Sequence, residues 1–332
     1  MKKTITLNSK DNIYIKVYHL GYTEQGESSI FLLYTEKTEK KEVLYSLVID
    51  CYEEKQCNQT DTILSEWKLE KNLNVFIWTH PHDDHSIGVK DIIEKYCSKG
   101  SLIFLANVFG IPEKFSNVCK DTIMYIKDLN KGKSVKNRIK VNSYVHYPET
   151  MDEVIFNGGH ELRKLYVRSI APFTYIGGIL GGTKKFDCNK IGIGCILVLE
   201  LEKNNINFLF GGDMDKYTIE ALIDAEDDDI PRVYNYIKIP HHGSKNAQNL
   251  IEFLKSEDSI KSDFASTSVF TQKKLPNDDV LRNYKDVVYE LACTSDITSN
   301  VYGIGMICAT YDISKKKVTK EYSGAAAIVD LQ

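Results

Sequence analysis

The chain has 332 residues, with 42 Lys and Arg against 46 Asp and Glu and a formal net charge of −4. Hydrophobic residues make up 42% and charged residues 27%, the composition of a folded protein, which excludes a disordered or collagen-like chain. The mildly acidic balance argues against a dedicated nucleic-acid coat protein, because phosphate binding normally shows as a basic domain. It leaves room for a local basic groove.

Compartment and membrane signals are weak in this sequence. The first residues lack the apolar run of ~7–15 residues that a secretory signal needs. No window approaches ~18 apolar residues, so we expect no membrane span. The 8 cysteines are scattered without a C-x-x-C pair, which predicts buried free thiols in a reducing compartment. We therefore expect a cytoplasmic protein.

Strand-like runs rich in β-branched and aromatic residues open the chain. The pattern predicts strands at 12–20, 29–34, 45–50, 74–79, 101–106, 161–171, 193–201, 206–212, 234–239 and 263–270. It predicts helices at 61–71, 86–96, 216–225 and 247–255, and a more helical and basic stretch at 113–140. Because each apolar sheet face must be buried, two sheets covered by outer helices satisfy this order. We expect one domain over 1–332, with a helical, basic insertion at about 107–160.

The first of two histidine clusters is the run HPHDDH at 80–85. It lies where an apolar strand gives way to a helix, the position at which α/β proteins commonly build sites. His80, His82 and His85 with Asp84 provide the nitrogen and oxygen ligands that suit zinc and similar divalent ions. A lone histidine is more often structural, but an array of three with a carboxylate indicates a metal site.

A tight loop cannot direct all of these groups to one ion without strain. The alternate residues His80 and His82 can face one side, while Asp84 and His85 serve a neighbouring ion. The motif therefore predicts two ions, ~3.5–4 Å apart. Both ions need further ligands from elsewhere in the chain.

A candidate for such a ligand follows the strand INFLF. The chain runs from this strand into Gly211, Gly212 and Asp213, and glycine permits the sharp turn that would bring a carboxylate close to an ion. A simple turn with a capping Asp is the alternative. Asp215, two residues later, is expected at the surface or as a helix cap.

The second histidine cluster, in YIKIPHHGS at 236–244, again follows a strand. We assign His241 to a metal ion and His242 to a position beside it, as a proton donor or as a support for a ligand. The reverse assignment stays open. Ser244 and Lys245 stand at the start of a predicted helix, where free N–H groups and positive charge would hold a substrate phosphate. Simple capping by Ser244 is the alternative.

These three motifs together resemble the metallo-β-lactamase superfamily. More narrowly, IKIPHHGSK and the layout of 264–296 are similar to the soluble hydrolase domain of ComEC competence proteins and their free-standing relatives. The resemblance covers roughly 12–312 and implies an α/β fold, a four-layer αββα sandwich with the metals at one edge. In this pattern Asp50, which closes YSLVID, is the early strand Asp that supports the site from behind.

The sequence departs from the superfamily pattern in two places. Many members have a further histidine ligand before the GGD Asp, but this interval offers only His146 and His160, neither at a strand end. The ComEC-like subgroup tends to have an Asn- or Ser-bearing stretch there, which makes Asn189 a candidate substrate contact. The resemblance therefore implies two divalent ions, Zn²⁺ first, with Mn²⁺ left open. Leu275-Pro276 stands where the subgroup commonly has His-Pro.

The resemblance implies a metal-dependent hydrolase in which a metal-bridging hydroxide attacks the substrate. Asp84 would orient it and accept its proton, and His242 would protonate the leaving oxygen. The HHGS motif and nearby lysines favour a phosphodiesterase or nuclease acting on a nucleotide or single-stranded nucleic acid. Lys184 is one of these lysines, and it follows a glycine-rich run, 177–182, that fails as a phosphate-binding Walker loop because Thr precedes Lys.

Two other functions stay open from the sequence. The same hydroxide would serve an acyl hydrolase acting on a lactam, lactone or thioester. A metal-binding regulatory protein without catalysis is the third candidate. The sequence does not indicate an oligomeric state or a protein partner.

Overall fold

Two mixed β-sheets stacked face to face form the centre of the molecule. The computed structural model describes residues 3–37, 40–106, 115–129, 139–143, 145–173, 188–255 and 260–331. Its strands are β1 (Lys3–Thr6), β2 (Asn12–Gly21), β3 (Glu27–Lys37), β4 (Lys40–Ile49), β5 (Val75–Trp78), β6 (Leu102–Leu105), β7 (Lys140–Asn142), β8 (Glu149–Asn157), β9 (Leu162–Ala171), β10 (Gly194–Leu201), β11 (Asn205–Phe210), β12 (Tyr236–Lys238), β13 (Ser262–Thr267), β14 (Val288–Cys293), β15 (Gly305–Asp312), β16 (Lys317–Gly324) and β17 (Ala327–Ile328).

Short helices accompany these strands. Those within the described residues are α1 (Gln59–Glu66), α2 (Val89–Tyr96), α3 (Asn117–Leu129), α4 (Lys216–Asp224), α5 (Leu250–Leu254) and α6 (Asp278–Tyr284). None of them is long and apolar enough to cross a membrane.

The order of the strands brings several strand ends to one edge. Among the described residues, sheet 1 has the order β16-β15-β2-β3-β4-β5-β6-β7, and sheet 2 has the order β1-β8-β9-β10-β11-β12-β13-β14-β17. In sheet 1, β4, β5 and β6 run parallel. In sheet 2, β11 to β14 run parallel. Since parallel strands end at the same edge, the residues that follow them are gathered there.

The inward faces of both sheets share one buried core. Phe31 of β3 meets Phe208 of β11 edge to face, with ring centroids 5.3 Å apart. Phe208 also meets Tyr311 of β15 at 5.3 Å. All three rings are buried. This aromatic seam (Phe31, Phe208 and Tyr311) joins the two sheets across the middle of the molecule.

The outward faces are covered by helices. Ile92 and Ile93 of α2 share a buried cluster with Phe76 of sheet 1. Leu222 of α4 shares a second cluster with Ile237 of sheet 2. The layers are therefore helix, sheet, sheet and helix, and the predicted αββα sandwich is confirmed.

The predicted strands are present with their ends shifted by a few residues. The helix predicted at 86–96 begins at Val89, because Asp83–His85 forms a 3₁₀ turn and Gly88 takes a left-handed φ of 99°. Within the stretch 113–140, the structure describes α3 and the start of β7. Of the expected insertion at about 107–160, it describes α3, β7 and β8, and both strands belong to the sheets. All eight cysteines are free thiols, and all except Cys57 are buried.

The aromatic seam should carry a large share of the stability. Replacing Phe208 by Ala leaves a cavity between the sheets, so we expect a loss of about 3–5 kcal/mol in the free energy of unfolding, measured by urea titration. Tyr289→Ala is the control, because that side chain on β14 is 72% exposed. It should change the free energy by no more than about 0.5 kcal/mol. Equal effects of the two substitutions would contradict the role of the seam.

Candidate metal centre

His80 and His82 face each other at the end of β5. The Nε2 atom of the fully buried His80 lies 3.0 Å from Nδ1 of His82. The same His80 nitrogen lies 3.7 Å from Oδ2 of Asp213, which follows β11 in the other sheet. The predicted pair His80 and His82 therefore lies close to the carboxylate of Asp213, which the sequence also predicts as a candidate ligand.

A second set of ligand atoms lies on the other side of Asp213. Nε2 of His85 is 3.4 Å from Asp213 Oδ1 and 3.5 Å from Asp84 Oδ2. Nε2 of His242 is 3.1 Å from the same Asp84 oxygen. In a tetrahedral zinc site with bonds of ~2.0–2.1 Å, neighbouring ligand atoms lie about 3.4 Å apart. These distances are therefore those expected between atoms that share an ion.

The donor atoms fit divalent cations. His85 Nε2 and Asp213 Oδ1 are buried, and within the described part of the chain neither has a hydrogen-bond partner. An unsatisfied buried polar atom costs about 1–3 kcal/mol, so two of them aimed at each other need a compensating group. All donors are imidazole nitrogens or carboxylate oxygens, which suit zinc and related ions. Two overlapping groups of side chains could hold a metal ion, and both include Asp213: one is His80, His82 and Asp213, and the other is Glu27, His85, Asp213 and His242.

The charges of the cluster are balanced among its members. Burial, with His85 and His82 nearby, holds the pKa of His80 well below its usual value, so its imidazole is neutral. Burial also lowers the pKa of His85, but Asp213, Asp84 and Asp50 outweigh it and raise that pKa well above the usual value. A cation bound here would take the place of the His85 proton, because a ligating histidine must be neutral.

Asp213 is delivered by the turn that the two glycines allow. Gly212 has a φ of 50°, and a Cβ at this position would lie 2.7 Å from the carbonyl oxygen of Ile193. Asp215 has a structural role at the start of α4. Its Oδ1 accepts hydrogen bonds from the N–H groups of Tyr217 (3.1 Å) and Thr218 (3.2 Å). It therefore caps α4, as the sequence predicts.

The Pro-His-His-Gly turn holds two histidines in an uncommon conformation. His241 has a φ of 51° and His242 a φ of 49°, both in the left-handed region. Each such residue costs about 1–3 kcal/mol and persists only where its surroundings hold it. The N–H of His241 donates to the carbonyl of Gly212 (3.0 Å), and that of Ser244 donates to the carbonyl of His241 (2.9 Å). These bonds tie the turn to the glycines that precede Asp213.

As a result, the two adjacent imidazoles have different surroundings. His242 is completely buried and lies among Asp84, His85 and Asp213. His241 is half-buried, and its ring nitrogens lie 3.2 and 3.3 Å from Nδ2 of Asn189.

The residues predicted to bind a substrate phosphate, Ser244 and Lys245, lie at the margin of the histidine and aspartate cluster. The hydroxyl of Ser244 accepts a hydrogen bond from the N–H of Asn246 (3.2 Å), so it caps the 3₁₀ turn Lys245–Ala247. Lys245 is exposed, and its Nζ lies 3.5 Å from Asp279. Lys184 lies outside the described residues.

Asp50 lies directly behind His85. Its Oδ2 is 2.8 Å from Nδ1 of His85. The carboxylate also accepts hydrogen bonds from the N–H (2.7 Å) and the hydroxyl (2.6 Å) of Thr79. Because the carboxylate accepts a hydrogen bond from Nδ1–H, His85 would bind a cation through Nε2 once that cation has replaced the second ring proton. Asp50 therefore lies behind His85 and outside both candidate ligand groups.

A cavity of about 1190 Å³ lies over the cluster. It is lined by Asp84, Asp213 and His241 and by the aromatic side chains of Phe115 and Phe270. Ser244, Asn189 and Lys273 also line it. Lys273 was not predicted, because it stands in a polar loop with no local signal for a site.

A buried polar layer behind the cluster was also missed. Nζ of Lys238 contacts Oε1 of Glu27 and donates to the carbonyl of Gly212 at 3.0 Å. Ser268 donates to the other oxygen of Glu27 and lies 2.8 Å from Nδ1 of His242. One signal was present in the sequence, namely a lysine inside the otherwise apolar strand β12. The sequence gives no indication that Glu27 is the partner of this lysine.

Comparison with known proteins gives only distant structural likenesses. No family model matches the chain, and no curated protein sequence matches it. Among solved structures, a long-form RNase Z from yeast is 9% identical over 96% of this chain, with a TM-score of 0.45, and this chain spans 50% of its length. Unliganded yeast PDE1 is 12% identical, covering 83% of this chain and 93% of its own, with a TM-score of 0.44. The Rm3 metallo-β-lactamase is 10% identical, covering 80% and 90%, with a TM-score of 0.31.

Asp213 and Asp215 offer a matched pair of substitutions. Asp213→Asn removes a carboxylate that faces both ligand sets. We expect zinc affinity, measured by competition with a chelator, to fall by at least the ~10–100-fold that loss of a supporting group costs. Asp215→Asn should leave it unchanged, because Asn caps a helix as well as Asp does. An equal loss in both variants would point to general damage rather than to a ligand.

Proposed function

We propose that this protein is a two-metal hydrolase of the metallo-β-lactamase superfamily, closest in kind to the ComEC-type hydrolase domains, and that it cleaves phosphodiesters. The observation that carries the proposal is the position of Asp213. Its Oδ2 faces His80, and its Oδ1 faces His85. One carboxylate therefore connects two candidate ligand sets, an arrangement that suits a pair of neighbouring ions.

The geometry favours the reverse of our first assignment for the last two histidines. His80, His82 and Asp213 would hold one ion. Asp84, His85, Asp213 and His242 would hold the other, because Nε2 of His242 is 3.1 Å from Asp84. His241 faces the cavity instead. Three protein ligands on the first ion leave a position for solvent or substrate, as in catalytic zinc sites.

Ions bound here would supply a nucleophile at neutral pH by lowering the pKa of a bound water to about 7. Asp84, which lines the cavity, is placed to orient the attacking water and to accept its proton. His241 is half-buried at the same cavity and is placed to give a proton to the leaving oxygen. His242 cannot do so, since it is completely buried and does not line the cavity.

The cavity supports a phosphodiester substrate. Its volume of about 1190 Å³ exceeds the ~300–1,000 Å³ of ordinary small-molecule sites, so it has room for a nucleotide or a short single strand. Lys273 and Asn189 give it hydrogen-bond donors, and Phe270 gives it an aromatic surface on which a base can stack. Two ions also suit the in-line displacement at phosphorus, in which both the attacking and leaving oxygens carry charge.

Single alanine substitutions separate the two histidines. His242→Ala should cost one of two tightly bound zinc ions, measured by metal analysis after dialysis. His241→Ala should keep both ions and lower kcat by about 10²–10⁴-fold, because it removes a proton donor. The opposite pattern would restore His241 as the ligand.

The substrate class can be tested with purified protein loaded with Zn²⁺ or Mn²⁺. We expect cleavage of a bis-aryl phosphodiester and of single-stranded DNA, with no turnover of a chromogenic lactam. Asp84→Asn should lower kcat by at least about 10²-fold. The control is Asp83→Asn, because that carboxylate accepts a hydrogen bond from Ser116 and is not among the proposed ligands.

The other outcomes are equally informative. Turnover of lactams or thioesters alone would establish an acyl hydrolase and overturn the phosphodiesterase proposal. Stoichiometric metal with no turnover of any substrate would favour a regulatory protein. Full activity in Asp84→Asn would show that the activity comes from another site or another protein.

A further inference from the structure

A layer of buried charged and polar side chains lies behind His242 and has no place in the proposed chemistry. Its members are Glu27 at the start of β3, Lys238 on β12 and Ser268 after β13. Glu27 and Lys238 are each 3% exposed, and Ser268 is completely buried. Buried charges are costly unless they are paired and hydrogen-bonded, so a layer of this kind needs a reason to be there.

The hydrogen bonds of this layer have only one consistent direction. An ionised carboxylate accepts and does not donate, so the single hydroxyl proton of Ser268 goes to Oε2 of Glu27. The Ser268 oxygen can then only accept from Nδ1 of His242, which lies 2.8 Å away. Nδ1 of His242 therefore carries a proton. When this ring is neutral, as a histidine that binds a cation must be, the lone pair is on Nε2 and faces Asp84 and the ligand cluster.

Lys238 connects this layer to the turn that carries Asp213. Its Nζ contacts Oε1 of Glu27 and also donates to the carbonyl of Gly212 at 3.0 Å. The lysine thus compensates the charge of Glu27 and fixes the backbone next to Asp213. Two ligand-bearing segments, the Gly-Gly-Asp turn and the Pro-His-His-Gly turn, are tied to one buried ion pair.

We propose that Ser268, held by the Glu27–Lys238 pair, positions His242 with its Nε2 lone pair toward the ligand cluster and so sets the cation affinity of that half of the centre. This inference depends on one part of the proposed function, namely that the histidine and aspartate cluster binds cations. Ser268, Glu27 and Lys238 are positioning residues and do not contact substrate.

The same contacts argue against Glu27 as a direct ligand. One oxygen of Glu27 lies within reach of His85, Asp213 and His242, so distance alone would allow it to share their ion. However, its Oε1 already contacts the ammonium group of Lys238, and its Oε2 accepts from Ser268. A cation at Glu27 would have to displace a buried ammonium or break the serine bond.

Two buried serines provide a matched test. Ser268→Ala removes the acceptor for His242, whereas Ser262→Ala removes a buried hydroxyl that accepts a hydrogen bond from the N–H of Tyr234 (3.0 Å), outside this layer. We expect Ser268→Ala to weaken the binding of one of two zinc ions by about 10–100-fold in chelator competition, with the other ion unaffected. Ser262→Ala should bind both ions like the unsubstituted protein.

The tautomer of His242 gives a second readout that a merely structural role would not move. Long-range ¹H–¹⁵N NMR spectra of the metal-free protein, recorded at a pH at which the His242 ring is neutral, should show that ring protonated on Nδ1. In Ser268→Ala this preference should be lost while the other histidines keep theirs. Glu27→Gln is the second variant, and it should shift both the zinc affinity and the tautomer in the same direction.

The outcomes separate this inference from the function on which it rests. If the unsubstituted protein binds no metal, both proposals are wrong. If it binds two ions and both serine variants bind them equally well, only the positioning role is wrong. Protonation of the neutral His242 ring on Nε2 in the unsubstituted, metal-free protein would also overturn the inference. Should Ser268→Ala fail to fold, unchanged affinity in Glu27→Gln would have the same consequence.

Discussion

The candidate site depends on one carboxylate that two buried sets of ligands share. Asp213 comes from sheet 2, while His80 and His85 come from a loop of sheet 1, and its two oxygens lie 3.7 and 3.4 Å from their ring nitrogens. The packing of one sheet on the other is what brings these groups together. The apolar core therefore supports the chemistry directly, since any sliding of the sheets would separate the two halves of the cluster.

Around this centre, each buried charge is matched by another from a distant part of the chain. Asp50 supports His85 at 2.8 Å, and the Glu27–Lys238 pair stands behind His242. Such compensation keeps acids and bases ionised in a dry interior, where an unpaired charge would be expelled or neutralised. The fold thus places the candidate ligands in an inner layer and their buried polar partners in the next one.

Much of this could be predicted from the sequence, because strands buried on both faces leave uninterrupted apolar runs and metal ligands follow them at strand ends. The conformation of the Pro-His-His-Gly turn could not be predicted from the sequence. The direction in which each imidazole points depends on two positive φ angles, at His241 and His242. The Glu27–Lys238 pair was also missed, because it joins strands more than 200 positions apart along the chain. Strand β16 was missed for another reason: its side chains are mostly exposed and give no apolar pattern.

The left-handed turn at His241 and His242 has a consequence for how such a protein can diversify. These two adjacent residues have different environments. The side chain of His242 is completely buried, whereas that of His241 is half-buried and lines the cavity. The residue at position 242 is constrained by the side chains packed around it, whereas the residue at position 241 faces a cavity that is open to solvent. In the proposed centre, a substitution at position 241 would therefore change the side chain that a substrate meets, while position 242 would keep its place in the candidate ligand set.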